Sequence, residues 1–219
     1  MKKRYFVQNY KMIRICLFSL LFVPSALFSQ RFNAGILAGG LVSQVDGDTY
    51  DGYHKFGFLA GAFVNLRVSK HSSFQMEMQY IQKGSRNAND SAHMSDNTYL
   101  LRIHYLEIPV LYQYTFGKRF AAEIGPAMDV TLGSYEESNL QEVQNTVPMR
   151  PVTLAGIVGV SGYITPHLKA TFRFNYSLLS IRNASAPYPP GYRKILFEWG
   201  QYNNVLSLSL SWDFKPREF

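Results

Sequence analysis

The sequence predicts an all-β chain, an eight-stranded antiparallel up-and-down transmembrane β-barrel. Three observations carry that prediction. Hydrophobicity alternates with a period of two in segment after segment. The connections between those segments are by turns short and long. Aromatic residues collect near the segment ends. Composition agrees: of 219 residues, 47% are apolar and only 17% charged, with 15 Tyr and 16 Phe. So much buriable surface excludes disorder. Past the N-terminus no run reaches the roughly 20 apolar residues that a spanning helix needs.

The opening stretch reads as a leader. Five of the chain's 22 basic residues (Lys2, Lys3, Arg4, Lys11, Arg14) lie there with no acid beside them. Removing them leaves 17 basic against 15 acidic residues, so the overall +7 belongs mostly to the leader. No basic stripe remains to suggest nucleic acid. An apolar run from Ile15 to Val23 follows, then Pro24 and the small residues Ser25, Ala26 and Ser29. This is the layout of a secretory signal peptide over residues 1–29, cut between Ser29 and Gln30, with Met12 as an alternative start. A membrane anchor helix fits less well, because the run is short and broken by proline. Residues 30–219 then form the barrel domain. The single cysteine, Cys16, falls inside the leader and is not preceded by the small residues of a lipidation site. The mature chain therefore has no disulfide, thiol chemistry or cysteine metal site.

The strands follow in order. Residues 32–42 set Phe32, Ala34, Ile36 and Ala38 against Asn33, Gly35, Leu37 and Gly39. Residues 56–68 set Phe58, Ala60, Ala62, Val64 and Leu66 against Gly61, Asn65 and Arg67. Residues 74–80 alternate Phe, Met, Met, Tyr with Gln, Glu, Gln. Residues 99–116 set Leu106, Ile108, Val110, Tyr112 and Tyr114 against Glu107, Pro109 and Gln113. Residues 120–132 set Phe120, Ala122, Ile124, Met128 and Val130 against Glu123, Gly125, Asp129 and Thr131. Residues 152–165 set Leu154, Val158, Val160 and Ile164 against Thr153, Ala155, Gly159 and Ser161. Residues 168–176 interleave Lys169, Thr171, Arg173 and Asn175 with Leu168, Ala170, Phe172, Phe174 and Tyr176. Residues 206–214 place Leu206, Leu208, Leu210, Trp212 and Phe214 opposite Ser207, Ser209, Ser211 and Asp213. A helix would scatter these polar residues around its circumference, so strand wins. The connections 69–72, 117–119 and 166–167 are tight, whereas 43–55, 84–97, 133–151 and 179–203 are long and polar, as in barrels with periplasmic turns and extracellular loops.

Alternation does not say which face is inside. A soluble lipocalin-like barrel would turn the apolar set inward around a ligand; a membrane barrel turns it to lipid. The polar set mixes glycines with charges, which suits a narrow lumen, and the aromatics suit two interface girdles, so the lipid-facing assignment is preferred. It makes Val158→Arg costly and Ser209→Ala nearly silent. The segment Tyr105-Leu106-Glu107-Ile108-Pro109-Val110-Leu111-Tyr112-Gln113-Tyr114, followed by Gly125-Pro126, resembles the PorT-like or porin-family small outer-membrane barrels of Bacteroidetes. A leader ending Phe28-Ser29-Gln30 is similar to signal peptides of that phylum. The resemblance implies an outer-membrane barrel, and its founding member a link to a secretion system.

For chemistry, the inward set supplies a lumen charge network: Arg67, Glu77, Lys83, Glu107, Glu123, Asp129, Lys169, Arg173 and Asp213. Paired carboxylates suit acid–base catalysis, but buried charges in a filled barrel more simply neutralise one another. Asp46-Gly47-Asp48-Thr49-Tyr50-Asp51-Gly52 misses calcium-loop spacing, since the third acid falls one place late and no closing Glu follows. No histidine pattern suggests a metal, and no cofactor is expected. Asp90-Ser91-Ala92 matches a short O-glycosylation signal but reads first as a polar loop. At the outer rim, Arg102 and His104 face outward as contacts for lipopolysaccharide. With Ser134 and Glu136 or Glu137, His104 would instead make a hydrolase triad acting on lipid A. Ser134 is expected beyond the strand end, where nothing holds it rigidly.

The expected function is a non-enzymatic outer-membrane barrel acting through its extracellular loops as an anchor, adhesin or accessory part of a secretion or envelope assembly. Its expected partners are outer-membrane lipid and lipopolysaccharide, the barrel assembly machinery and secretion-system proteins. The alternatives are a lipid-modifying barrel enzyme and the soluble ligand-binding barrel.

Overall fold

The computed structural model describes residues 32–50, 52–87, 98–139, 141–143, 147–182, 191–196 and 198–217. The leader, its cleavage point and Asp90-Ser91-Ala92 lie outside them. Eight long strands form: β1 (Phe32–Asp46), β2 (Lys55–Arg67), β3 (Ser72–Asn87), β4 (Tyr99–Phe116), β5 (Phe120–Ser138), β6 (Val152–Tyr163), β7 (Leu168–Ser177) and β8 (Tyr202–Asp213). Each pairs antiparallel with the next, and β1 pairs with β8 from Gly35↔Asp213 to Asp46↔Tyr202, so the sheet closes on itself. Closure removes both edges, which leaves no unpaired ladder facing lipid.

The alternation resolves as lipid outside, polar inside. Ile36, Val64, Met78, Ile124, Val158, Phe172 and Leu208 are exposed on the outer wall, while Gln75, Glu77, Glu107, Asp129, Lys169 and Ser209 are buried in the lumen. Two aromatic rings flank the apolar belt, as at membrane–water interfaces. At the short-turn end Phe74 meets Tyr112 edge-on with centroids 5.5 Å apart, and Phe116 stacks on Phe120 at 6.2 Å. Toward the long-loop end Phe58 lies 5.2 Å from Tyr80, and Phe174 lies 6.1 Å from Tyr176.

Several strands outrun their expected ends. β1 continues to Asp46, β3 to Asn87 and β5 to Ser138, so residues 43–46, 84–87 and 133–138 are strand rather than loop. A register shift between His104 and Tyr105 puts an extra residue, Leu132, into β5. Such a bulge lets the strand keep pairing while it bends.

The lumen is not uniformly polar either. Leu37, Leu41, Val45, Leu59, Phe63, Ile81, Leu101, Ile103, Tyr105 and Val205 pack together inside, mostly in the half nearer the long loops. Apart from Leu37, which alternation already put on the inner set, they point inward from strands whose outer face is also apolar, so alternation gave no sign of them. Below this layer lie the charges. One glycine makes room for them: Gly159 is in register with Glu123 on one side and Arg173 on the other. A Cβ there would come within 3.0 Å of both the Arg173 Cγ and a Glu123 carboxylate oxygen.

Candidate functional site

The lumen charges form two compact clusters. In one, the Lys83 ammonium donates to Glu107 Oε2 at 2.5 Å and to Asp129 Oδ2 at 2.7 Å. The Gln79 and Asn175 amides donate to the same Glu107 carboxylate. In the other, the Arg173 guanidinium donates through both terminal nitrogens to Glu77, at 2.7 and 2.6 Å, and through Nε to Glu123. The Gln75 amide also donates to Glu77 Oε1, and the Gln113 amide donates to the Glu123 oxygen that Arg173 leaves free. Three of the expected network residues stand apart from these pairs. Lys169 rests 5.4 Å from the Phe63 ring centre and donates to Gln75. Asp213 accepts from the Asn33 amide at 2.7 Å. Arg67, at the turn end of β2, is only partly buried and forms no ion pair with the described residues.

Above the apolar layer the long loops fold over the mouth. Ser180, Ile181 and Arg182 are buried, and Ile181 packs with Met149 onto the apolar layer. Arg182 is the hub: its guanidinium donates to Glu136 at 2.6 Å, to the Val147 carbonyl at 2.8 Å and to Gln201 at 2.8 Å. Glu136 also accepts from the Tyr99 hydroxyl at 2.7 Å. A second clamp sets Arg150 against Glu198 in a bidentate pair at 2.8 and 2.6 Å, with the Ser180 N–H donating to the same carboxylate. Bidentate geometry makes this the more directional kind of ion pair. The clamps hold up a short hairpin, Arg193–Ile195 with Glu198–Gly200, which displays exposed Leu196 and Trp199. Sequence reasoning missed Arg150, Arg182 and Glu198. Their partners lie 46 or 48 residues away, and no local pattern announces such a pair.

Burial acts to raise the Glu198 carboxyl, but the Arg150 and Ser180 hydrogen bonds more than offset it, so its pKa lies below the ordinary value. A depressed carboxylate stabilises the fold above its unfolded pKa and loses that contribution as pH falls through the folded one. The clamp is therefore expected to loosen below the usual Glu titration near pH ~4. Relative to their intrinsic rates at each pH, the Ser180 and Ile181 amides should lose protection from hydrogen exchange at that pH. In Arg150→Ala they should exchange fast already at neutral pH, with a much smaller acid step.

At the rim, His104 and Arg102 point outward as expected, and His104 Nδ1 is hydrogen-bonded to the Tyr80 hydroxyl. The triad is not assembled. Ser134 lies within β5, not beyond it, and pairs with inward-facing Ile103, so it and His104 belong to opposite faces. Glu136 is turned toward Arg182, and Glu137 accepts from Tyr135. In the acidic loop, Asp46 accepts from Gln44 and Tyr176, and Asp48 accepts from the Tyr50 N–H. Among the described residues no group of acids and histidines is arranged to hold a metal.

Residues 25–183 match the family model described as an outer membrane protein beta-barrel domain. No curated protein matches the sequence. Among solved structures, the chain is similar to neisserial surface protein A, with 10% identity, covering 83% of this chain and 97% of that one at a TM-score of 0.52. It is also similar to Ail, the attachment invasion locus protein of Yersinia pestis, with 13% identity, 83% and 98% coverage and a TM-score of 0.44. At these identities the likeness is one of fold.

Proposed function

Because the chain belongs to the outer membrane protein beta-barrel domain family and resides in the outer membrane, we propose that it is a non-enzymatic barrel that acts by presenting its clamped extracellular loops to a partner. The observation that carries this reading is the pair of guanidinium clamps, Arg182 on Glu136, which is largely buried, and Arg150 on Glu198, which is partly exposed. They fix a loop surface bearing exposed Leu196 and Trp199, and ordering cost met in advance is affinity gained on binding. An adhesin, an anchor and an accessory part of a secretion assembly are all forms of this role, and the PorT-like resemblance favours the last. The apolar layer under Ile181 argues against a diffusion pore. The separation of His104 from Ser134 onto opposite faces argues against a lipid A hydrolase.

A photoreactive amino acid at position 196 in intact cells is expected to give a discrete crosslinked adduct that is absent when the probe sits at Lys118 in a short turn. The purified barrel is expected to show no steady conductance in a planar bilayer. Sustained channel currents would instead indicate a pore. Loss of an acyl chain from lipid A, abolished by His104→Ala, would indicate an enzyme.

A further inference from the structure

On the outer wall, where β2, β3 and β4 end, a cleft of about 400 Å³ is lined by Lys55, Phe56, Arg86, Arg102 and Glu137 among others. Three cations thus meet one acid, and that acid already accepts from the Tyr135 hydroxyl. Lys55 is only 3% exposed, yet its ammonium is held by neutral oxygens alone, the Phe56 carbonyl at 2.6 Å and Gln82 Oε1 at 3.0 Å. The Arg102 Nε is buried with no hydrogen-bond partner. A buried donor left without an acceptor is costly and calls for one. None of the three cations forms an ion pair with the described residues.

The height of the cleft matters as much as its charge. Directly beneath it on the lipid face lie Phe58, Tyr80 and His104, the outer aromatic girdle. Phe56, 75% exposed, stands between girdle and cleft. That level is where acyl chains give way to headgroups. We propose that this cleft binds a phosphate group of a phosphorylated glycolipid of the outer leaflet, with Arg102 and Lys55 as its principal donors and Phe56 against the acyl or sugar portion. Guanidinium and ammonium donors both suit a phosphate, the first as a fork and the second as a point charge. This goes beyond the loop-display reading, and either can fail without the other.

The test reconstitutes the full chain in phosphatidylcholine nanodiscs containing bis-phosphorylated lipid A, dephosphorylated lipid A or phosphatidylglycerol, and counts retained lipid by native mass spectrometry after detergent exchange. The bis-phosphorylated form is expected to be retained selectively. Arg102→Gln and Lys55→Gln are each expected to weaken retention about tenfold, the scale of one lost charge-assisted hydrogen bond. Lys118→Gln, at the opposite end of the barrel, should leave it unchanged. Heat-modifiable migration on gels verifies that each variant is folded. Equal retention of the dephosphorylated lipid, or no effect of either substitution in a folded variant, would overturn the proposal. Displacement of the lipid by millimolar inorganic phosphate would overturn the glycolipid source.

Discussion

Arg173→Leu is expected to cost the barrel about 3–5 kcal/mol, the scale of removing one partner from a buried ion pair. Its guanidinium is the counter-ion of both Glu77 and Glu123, and all three side chains are nearly or wholly inaccessible. Removing it leaves two buried carboxylates whose remaining hydrogen-bond donors are the Gln75 and Gln113 amides. Adding Glu77→Gln and Glu123→Gln to the same chain is expected to recover most of the loss, because no charge is then left unmatched and the amides keep the shape of the acids. Urea titration of the folded fraction in detergent micelles, read by heat-modifiable migration, measures both. Equal destabilisation in the single and triple variants would show that the cluster's charge balance is not what holds this part of the lumen. The expectation that Ser209→Ala is nearly silent therefore does not extend to the ion-paired residues of the lumen, since Ser209 forms no ion pair.

Val158→Arg should cost about 2–4 kcal/mol if it sits at the bilayer midplane. Val158 lies mid-strand on β6, exposed on the outer wall, flanked in register by Ile124 and Phe174. An arginine there would meet acyl chains from an apolar row that offers no acceptor. Ser209→Ala, on an equally regular strand but facing inward and buried, should change stability by less than about 0.5 kcal/mol, the usual range of a substitution that removes no named interaction. The same urea titration compares them. Similar losses at the two positions would mean that the assignment of the faces is wrong.

The two faces were legible in the sequence wherever one was apolar and the other polar, as in Leu206 to Phe214 or Leu168 to Tyr176. Period two is a strong signal when the environments on the two sides of a sheet differ. It fades where they do not. Leu59, Phe63, Ile103 and Tyr105 face inward beside apolar neighbours that face lipid, and such a run looks the same in either register. It fades again above the membrane, where both sides of a strand are wet, which is why the outer ends of β3 and β5 read as loop. Ser134 was placed beyond the strand end for the same reason, and the bulge at Leu132 then decides which face it takes, since one extra residue reverses every later side chain. The loop clamps were out of reach altogether. Arg182 earns its role only from Glu136 and Gln201, brought to it by the closed barrel.

Closure has one more consequence, for how the chain reaches this state. The ladder between β1 and β8 joins the two extremes of the folded chain. The hydrogen bond from Asn33 to Asp213 spans 180 positions of sequence. Contacts of such long range come late, since the intervening chain must lose its freedom before they form. Until β8 arrives, β1 and β7 both expose a bare row of amides and carbonyls. Intermediates with seven strands therefore have no resting place in lipid, and assembly should approach all-or-none cooperativity. A chain truncated after Tyr176 should then be recovered as aggregate or degraded, not as a smaller barrel.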